Sequence, residues 1–291
     1  MPAQRETSRE DAQFMVLHGD PRKLGPIPDR SVHLVVTAPP QWPIPSSSTG
    51  AVRFGAALDY QNYLLELKIV LSELFRVLVP GGRLACIASD IWLSRREHGR
   101  HRLLPFTADI SLLCRDIGYD HLTPIIWHRP PRRRSPAFLG KPYEPNAAIP
   151  SDAALILMER KPGGYRKPTP NQRNQSRIAR DRYRRWFRQM WSTTVEDPMH
   201  APFPVEIAAR LIRMFSYWGD TVLDPFCGSG SVLAAALQCH RNGIGIESDP
   251  EICRVATNRV YEASNPLFNR VCLSCKPLCQ FDEEEFFFPL P

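Results

Sequence analysis

An α/β fold, doubly wound around a mostly parallel sheet, is what this sequence predicts, on three observations. Segments of strand character alternate with segments of helical spacing along most of the chain, the order that builds such a sheet. Ser31-Val-His-Leu-Val-Val-Thr37 is nearly continuous in apolar residues, as a strand covered on both faces requires. At 291 residues, 43% of them hydrophobic, the chain can bury one large core or two small ones. No run approaches the ~18–20 apolar residues of a membrane span. Met1 to Gln13 also lacks the apolar centre of a secretory signal, so a cytoplasmic protein with no membrane partner is expected.

Taken in order, Phe14-Met-Val-Leu17 reads as the first strand, breaking into a turn at His18-Gly19-Asp20. The second, Ser31–Thr37, stops at Ala38-Pro39-Pro40, because a proline cannot donate to a strand ladder. Leu64, Leu67, Leu71, Leu74, Phe75 and Leu78 recur at helical spacing, which makes Tyr60–Leu78 a helix closed by Pro80-Gly81-Gly82. Arg83–Ala88 follows as a strand, Phe106–Asp116 as a helix, and His121–Trp127 and Ala153–Met158 as further strands. Residues 129–150 and 161–172 read as loop, and Arg173–Trp191 as one basic amphipathic helix. Pro204–Tyr217 (helix), Thr221–Asp224 (strand), Ser231–His240 (helix), Gly243–Glu247 (strand) and Pro250–Val260 (helix) complete the order. The tail beyond Asn265 carries Asp282-Glu-Glu-Glu285 and Phe286-Phe-Phe288 and fits no regular element.

The net charge of +7 is concentrated in one place. Between Arg129 and Met190 there are 16 Lys/Arg against 4 Asp/Glu, whereas the remainder holds 21 basic and 26 acidic residues. Such a segment is either a polyanion-binding face or a solvated Arg-rich helix. Cys86, Cys114, Cys227, Cys239 and Cys253 sit singly inside apolar patterns and read as reduced, buried thiols. Cys272, Cys275 and Cys279 have a metal-like spacing but supply only three ligands, so free or packed thiols are expected and no metal is assigned.

Val222-Leu-Asp-Pro-Phe-Cys-Gly-Ser-Gly-Ser231 joins a strand to a helix through a turn bearing Gly228 and Gly230. Glycines there let the backbone approach a ligand, and the helix that follows presents free amides. The next strand ends in Glu247, 19 residues after Gly228, where a carboxylate can accept both ribose hydroxyls of a nucleoside. No Gly-Lys-Ser/Thr follows, which disfavours a phosphate-binding loop.

Asp224-Pro-Phe-Cys-Gly-Ser-Gly230 resembles the cofactor signature of amino-directed DNA methyltransferases. The resemblance extends to Met199-His-Ala-Pro-Phe-Pro204, to Gly19-Asp20 and to Thr37-Ala-Pro-Pro40, covering about residues 14–262. The Pro-Pro element precedes the recognition region and the cofactor loop comes last, the circularly permuted order of the β class. The resemblance implies a sheet of the S-adenosylmethionine-dependent methyltransferase type and S-adenosylmethionine as cofactor. It implies that Phe226, Gly228 and Gly230 line the methionine and ribose portion, that Glu247 binds the ribose, and that His200 and Phe203 close the methionine end. Asp20 would approach the adenine amino group, or else simply stabilise its turn. Thr37, Asp224, Pro225, Cys227, Ser229 and Ser248 complete the implied cofactor set.

Methylating an exocyclic amine needs no covalent nucleophile, only acceptors for the NH₂ hydrogens and a nitrogen facing the methyl group. The family does this with Ser/Asp/Asn-Pro-Pro-Tyr/Phe, whose aromatic residue stacks on a flipped base. The catalytic element here is Ala38-Pro39-Pro40-Gln41-Trp42, similar to the Thr-Ser-Pro-Pro-Tyr-Trp form of cytosine 4-amino enzymes, with Ser replaced by Ala38 and Tyr by Gln41. The Ala38 and Pro39 carbonyls then remain as acceptors, and Trp42 is the candidate stacking face. Asp90, at the end of the next strand, either contacts the base or caps structure, and of Trp92 and Trp127 at least one belongs to the core. No Pro-Cys pair occurs, which argues against ring-carbon methylation.

The resulting organisation is a catalytic half (14–128), a basic target-recognition region (129–190), a cofactor-binding half of the same domain (191–262) and a tail (263–291). Arg132, Arg133 and Arg134, with Arg177, Arg180, Arg184 and Arg188 on one helical face, would track the phosphates of double-stranded DNA. The expected activity is that of a site-specific cytosine 4-amino methyltransferase of a restriction–modification system, acting as monomer or homodimer. An adenine 6-amino enzyme, or a catalytically weak nucleic-acid-binding relative, is the alternative.

Overall fold

The computed structural model describes residues 12–43, 54–55, 59–128, 151–164, 166–192, 204–264 and 271–280. In chain order its first elements are β1 (Ala12–His18), β2 (Val32–Thr37), α1 (Tyr60–Val77), β3 (Leu78–Ala88), β4 (Ile91–Leu93), α2 (Arg95–His98), β5 (Arg102–Leu104), α3 (Phe106–Ile117), β6 (Asp120–His128) and β7 (Ala153–Arg160). There follow α4 (Pro170–Gln175), α5 (Arg180–Trp186), β8 (Met190–Ser192), α6 (Val205–Phe215), β9 (Thr221–Asp224), α7 (Ser231–Gln238), β10 (Asn242–Glu247), α8 (Pro250–Ala263), β11 (Val271–Pro277) and a 3-10 turn, Leu278–Gln280. Among the described residues no helix is long and apolar enough to cross a membrane.

Nine strands form one sheet in the order β11-β1-β10-β9-β2-β3-β7-β6-β8. Every neighbouring pair is parallel except those made by β7, which runs antiparallel to both β3 and β6. The apolar run of β2 is buried at all six positions, as a strand at the centre of a doubly covered sheet must be. One face is covered by α1 and α3, through residues such as Tyr63, Leu67, Leu74, Phe106 and Ile110. The other is covered by α6, α7 and α8, through Ile207, Leu211, Leu233, Ala256 and Val260. Cys86, Cys114, Cys227, Cys239 and Cys253 are all buried free thiols, as their apolar surroundings foretell.

Three expectations are corrected. The basic stretch is not one helix: α4 ends at Gln175, the chain is extended at Ala179, and α5 ends at Trp186 before the short strand β8. The break follows from docking, since Ser176 Oγ accepts from Trp218 N (2.8 Å) and Gln172 Nε2 donates to Trp218 O (3.3 Å), which turns the chain there. Arg180 and Arg184 therefore share a helix, while Arg177 precedes it and Arg188 follows it. The tail is not wholly irregular, because Val271–Pro277 adds the parallel strand β11 beside β1, with Ala12 opposite Val271 and His18 opposite Pro277. The third concerns α1 and β3. The helix ends at Val77 and β3 begins at once, crossing Pro80-Gly81-Gly82 with a register shift between Val32 and Leu34 of its partner. The hairpin β4–α2–β5 has no counterpart among the expected elements.

Candidate active site

Four neighbouring parallel strands, β1, β10, β9 and β2, bring four separate stretches of sequence to one edge of the sheet. At their C-terminal ends lie Asp20, Glu247, Asp224 and Thr37 respectively. From β9 the chain winds toward β10, and from β2 toward β3, so the crevice between β9 and β2 is the switch point where open α/β sheets bind ligands. Backbone bonds lash the ends together: Gly19 N donates to Glu247 O and Cys227 N to Ile246 O, each at 2.9 Å. Across the crevice Thr37 Oγ1 donates to Asp224 Oδ1 at 2.8 Å, with both side chains buried.

Asp224 also accepts from Phe226 N at 3.1 Å. Burial pushes its carboxyl up to about 7, the bonds from Thr37 and Phe226 oppose that rise, and the nearby Glu247 charge adds to it. Glu247 accepts through Oε1 from Ser248 N (2.8 Å), Asp249 N (3.0 Å) and Ser248 Oγ (3.3 Å), and through Oε2 from Gly228 N (3.1 Å). Gly228 and Gly230 both have positive φ, 48° and 80°. A Cβ on Gly230 would meet Ala256 of α8 at 3.0–3.1 Å, so only glycine lets α7 start this close to α8. A glycine turn that opens a helix, with the Glu247 carboxylate at the end of the next strand, fits a nucleoside ligand whose ribose hydroxyls a carboxylate accepts. S-adenosylmethionine is such a ligand.

The rest of the implied cofactor set divides. Pro225 is buried in the turn, Phe226 lies 4.9 Å from the Phe54 ring, and Ser229 Oγ accepts from Arg259 at 3.0 Å. Cys227 is an inert thiol, its pKa lifted well above the usual range by burial. Asp20 is already engaged, since Arg22 donates through Nε and a terminal nitrogen to both oxygens and through its backbone N to Oδ1. Burial alone would raise its pKa, but these bonds outweigh burial and lower it. An adenine amino group here would share Asp20 with Arg22, and the turn-stabilising role is the one the geometry displays. His200 and Phe203 lie outside the described residues.

The Pro-Pro loop begins where β2 ends. Tyr63 of α1 donates to Pro40 O at 2.5 Å, and Gln41 Nε2 donates to Ser89 O at 3.0 Å. Ala38 and Pro39 follow Thr37 directly, so their main-chain groups sit beside the crevice. Trp42 is not an open stacking platform: it is 9% exposed, packed 5.8 Å from the Tyr60 ring and 6.0 Å from that of His98. Asp90 acts as a cap, its Oδ1 accepting from Thr107 N (3.0 Å) and Thr107 Oγ1 (2.7 Å) in the first turn of α3. Trp127 is core, whereas Trp92 is 44% exposed.

The basic segment docks elsewhere. Arg166 pairs with Asp220, and Gln172 and Ser176 bond to Trp218, all in the turn that precedes β9. That is the N-terminal edge of the sheet, opposite the edge carrying Thr37, Asp224 and Glu247. Arg177, Arg180, Arg184 and Arg188 are exposed there, whereas Arg132, Arg133 and Arg134 lie outside the described residues. A second basic run, Arg95-Arg-Glu-His-Gly-Arg-His-Arg102, lies on the hairpin after Asp90 and is absent from the sequence-based assignment; its charge density was the available signal. Among the described residues no cluster of His, Cys, Asp and Glu is arranged to hold a metal.

Comparison with known proteins agrees with this fold. A family profile described as DNA methylase matches residues 32–258. The crystal structure of TTHA0409 from Thermus thermophilus, solved with S-adenosyl-L-methionine, is 42% identical with a TM-score of 0.76, covering 91% of this chain and 98% of that one. The type II methyltransferase M.MjaI of Methanocaldococcus jannaschii is 35% identical over 84% of this chain and 90% of its own length. The DNA adenine methyltransferase YhdJ of Escherichia coli is 27% identical over 86% of this chain and 83% of its own.

Proposed function

This chain belongs to the DNA methylase family, and on that premise we propose that it methylates the exocyclic 4-amino group of cytosine in double-stranded DNA, using S-adenosylmethionine. One observation carries the reading: the buried Thr37 Oγ1–Asp224 Oδ1 bond joins the Pro-Pro loop to the cofactor loop across the switch point. An amine acceptor loop and a nucleoside site thereby share one crevice. The cofactor, when bound, supplies an electrophilic methyl group. The chain's own part is to hold the target nitrogen in line with it and to accept the amine hydrogens. Pro40 O is taken by Tyr63, so we assign those hydrogens to the carbonyls of Ala38 and Pro39. As nitrogen bonds to the methyl carbon, the carbon–sulfur bond breaks and one amine proton leaves to solvent.

Cytosine is favoured by the likeness of Thr37-Ala-Pro-Pro-Gln-Trp42 to the Thr-Ser-Pro-Pro-Tyr-Trp form. A 27% identical relative named as an adenine methyltransferase makes adenine 6-amino methylation the second reading. Reaching either amine requires the base to leave the duplex stack. Similarity to a type II methyltransferase supports a role in a restriction–modification system. Mass spectrometry of nucleosides from DNA of cells expressing this chain tests the reading. 4-Methylcytosine is expected; 6-methyladenine would establish the second reading, and neither product would overturn both.

A further inference from the structure

β3 leaves the catalytic edge at Ser89-Asp90 and passes straight into the hairpin β4–α2–β5. Its strands are antiparallel, with Ile91 opposite Leu104, Trp92 opposite Leu103 and Leu93 opposite Arg102. Strand alternation sorts these residues by face. Ile91, Leu93 and Leu104 enter the core shared with α1 and α3. Trp92 and Leu103 project together on the outer face, 44% and 46% exposed. Directly opposed side chains of this kind form one continuous apolar knob.

Basic residues fill the connection between the two strands and open β5. Between Arg95 and Arg102 there are four arginines and two histidines against one glutamate. Arg95, Arg96, Arg100 and Arg102 are all exposed, and none has an ion-pair partner among the described residues. The hairpin is also fixed in place. His98 packs 6.0 Å from the Trp42 ring of the Pro-Pro loop, Gln41 holds Ser89 at one end, and Asp90 holds Thr107 at the other. A hairpin with a basic connection and an apolar pair on the outer face of its ladder therefore stands at the catalytic edge, whereas the residue 166–188 segment docks at the opposite edge.

We propose that this hairpin is a duplex-DNA contact, its four arginines meeting phosphates and its Trp92–Leu103 pair wedging into the base stack next to the target base. The proposal rests on the reading of the chain as a DNA methyltransferase. Apolar side chains inserted between base steps unstack and kink a duplex, and arginines fix its register. Extruding a base requires such unstacking, and a knob beside the acceptor loop is positioned to supply it.

Fluorescence anisotropy on the full chain, over a salt series, with an intact duplex and one bearing a single abasic site, tests this without knowledge of the recognition sequence. The wild type is expected to prefer the abasic duplex several-fold, because the unstacking is already done. Trp92→Ala with Leu103→Ala should reduce that preference to about one and leave the salt slope intact. Glutamine at the four arginines should flatten the log–log salt slope by up to ~0.9 per lost phosphate contact and keep the preference. Calorimetry should find S-adenosylmethionine affinity unchanged in both variants, as expected of folded proteins. No abasic preference in the wild type overturns the wedge. Variants that match the wild type in affinity, slope and preference, while the wild type still transfers labelled methyl groups into genomic DNA, overturn the hairpin assignment alone. A wild type that neither binds duplex nor methylates it overturns the methyltransferase reading as well.

Discussion

Asp224→Asn separates the electrostatics of the crevice between β9 and β2 from its packing. The Asp224 carboxyl is pushed up to about 7 from 3.8, first by burial and further by Glu247, against the bonds from Thr37 and Phe226. Between those two pH values the folded protein holds a proton that the unfolded chain has released. Ionising Asp224 therefore costs stability, and stability falls as pH rises through the window and levels off above 7. At ~1.4 kcal/mol per pH unit, the loss between pH 5 and pH 8 is roughly 3 kcal/mol. Asparagine keeps an oxygen that can accept from Thr37 Oγ1 and Phe226 N, and it cannot ionise. Urea denaturation of the ligand-free protein from pH 5 to pH 8 should show the variant gaining about 3 kcal/mol on the wild type across that range. Glu159, also raised by burial, to about 8, and paired with His121 Nδ1 at 2.6 Å, contributes to both curves and cancels in their difference. Parallel stability curves would refute the argument, because they would mean that Asp224 stays ionised in the fold at little cost.

Three further outcomes are expected. Glu247→Ala should weaken S-adenosylmethionine binding by ~2–4 kcal/mol in calorimetry, the scale for losing charge-assisted bonds at a partly buried site; unchanged affinity in a folded variant would remove Glu247 from the ribose. Ala38→Ser adds a side-chain acceptor where the family carries one and should raise the single-turnover rate roughly ten- to a hundredfold, from ~1–3 kcal/mol of added transition-state stabilisation. A rate that stays the same or falls would mean that main-chain carbonyls suffice. Glutamine at Arg180, Arg184 and Arg188 should leave the salt slope of DNA affinity near the wild-type value, because these residues lie beyond the opposite edge of the sheet; a drop of ~0.9 per residue would restore that segment as the duplex-binding face.

The sheet was legible because its strands are locally coded. β2, β9 and β10 are short apolar runs, each ended by a proline, a glycine turn or a charged residue, and their residues carry the pattern unaided. The glycine turn between β9 and α7 was equally plain, since glycine spacing and a carboxylate at the next strand end are both visible in one line of sequence. The placement of the basic segment was not legible, because charge alone does not say which edge a helix docks on. That was decided by Arg166, Gln172 and Ser176 reaching Asp220 and Trp218, pairings 42 to 54 residues apart. β11 was missed because Val271–Pro277 is specified by an open edge of β1 and not by its own strong pattern. Arg22 closing on Asp20 lies only two residues away, yet nothing in the spacing distinguishes that contact from an arginine turned to solvent.

The Pro-Pro loop keeps its shape by means that do not involve the serine and tyrosine side chains of the family form. Gln41, in place of an aromatic ring, ties the loop to the end of β3 through Ser89 O, and Tyr63 ties Pro40 O to α1. Trp42 is locked against Tyr60 and His98, and the loop's first residue is pinned by Thr37 to Asp224. Four anchors on α1, α2, β9 and the residue that follows β3 thus hold a loop of six residues, and with it the main-chain carbonyls of Ala38 and Pro39, to which a serine at position 38 would add one acceptor. The same anchors join the loop to the hairpin, because His98 belongs to α2 and Ser89 precedes β4. A force that bends a duplex against Trp92 and Leu103 would therefore reach the acceptor loop through two direct contacts, coupling base extrusion to the placement of the amine.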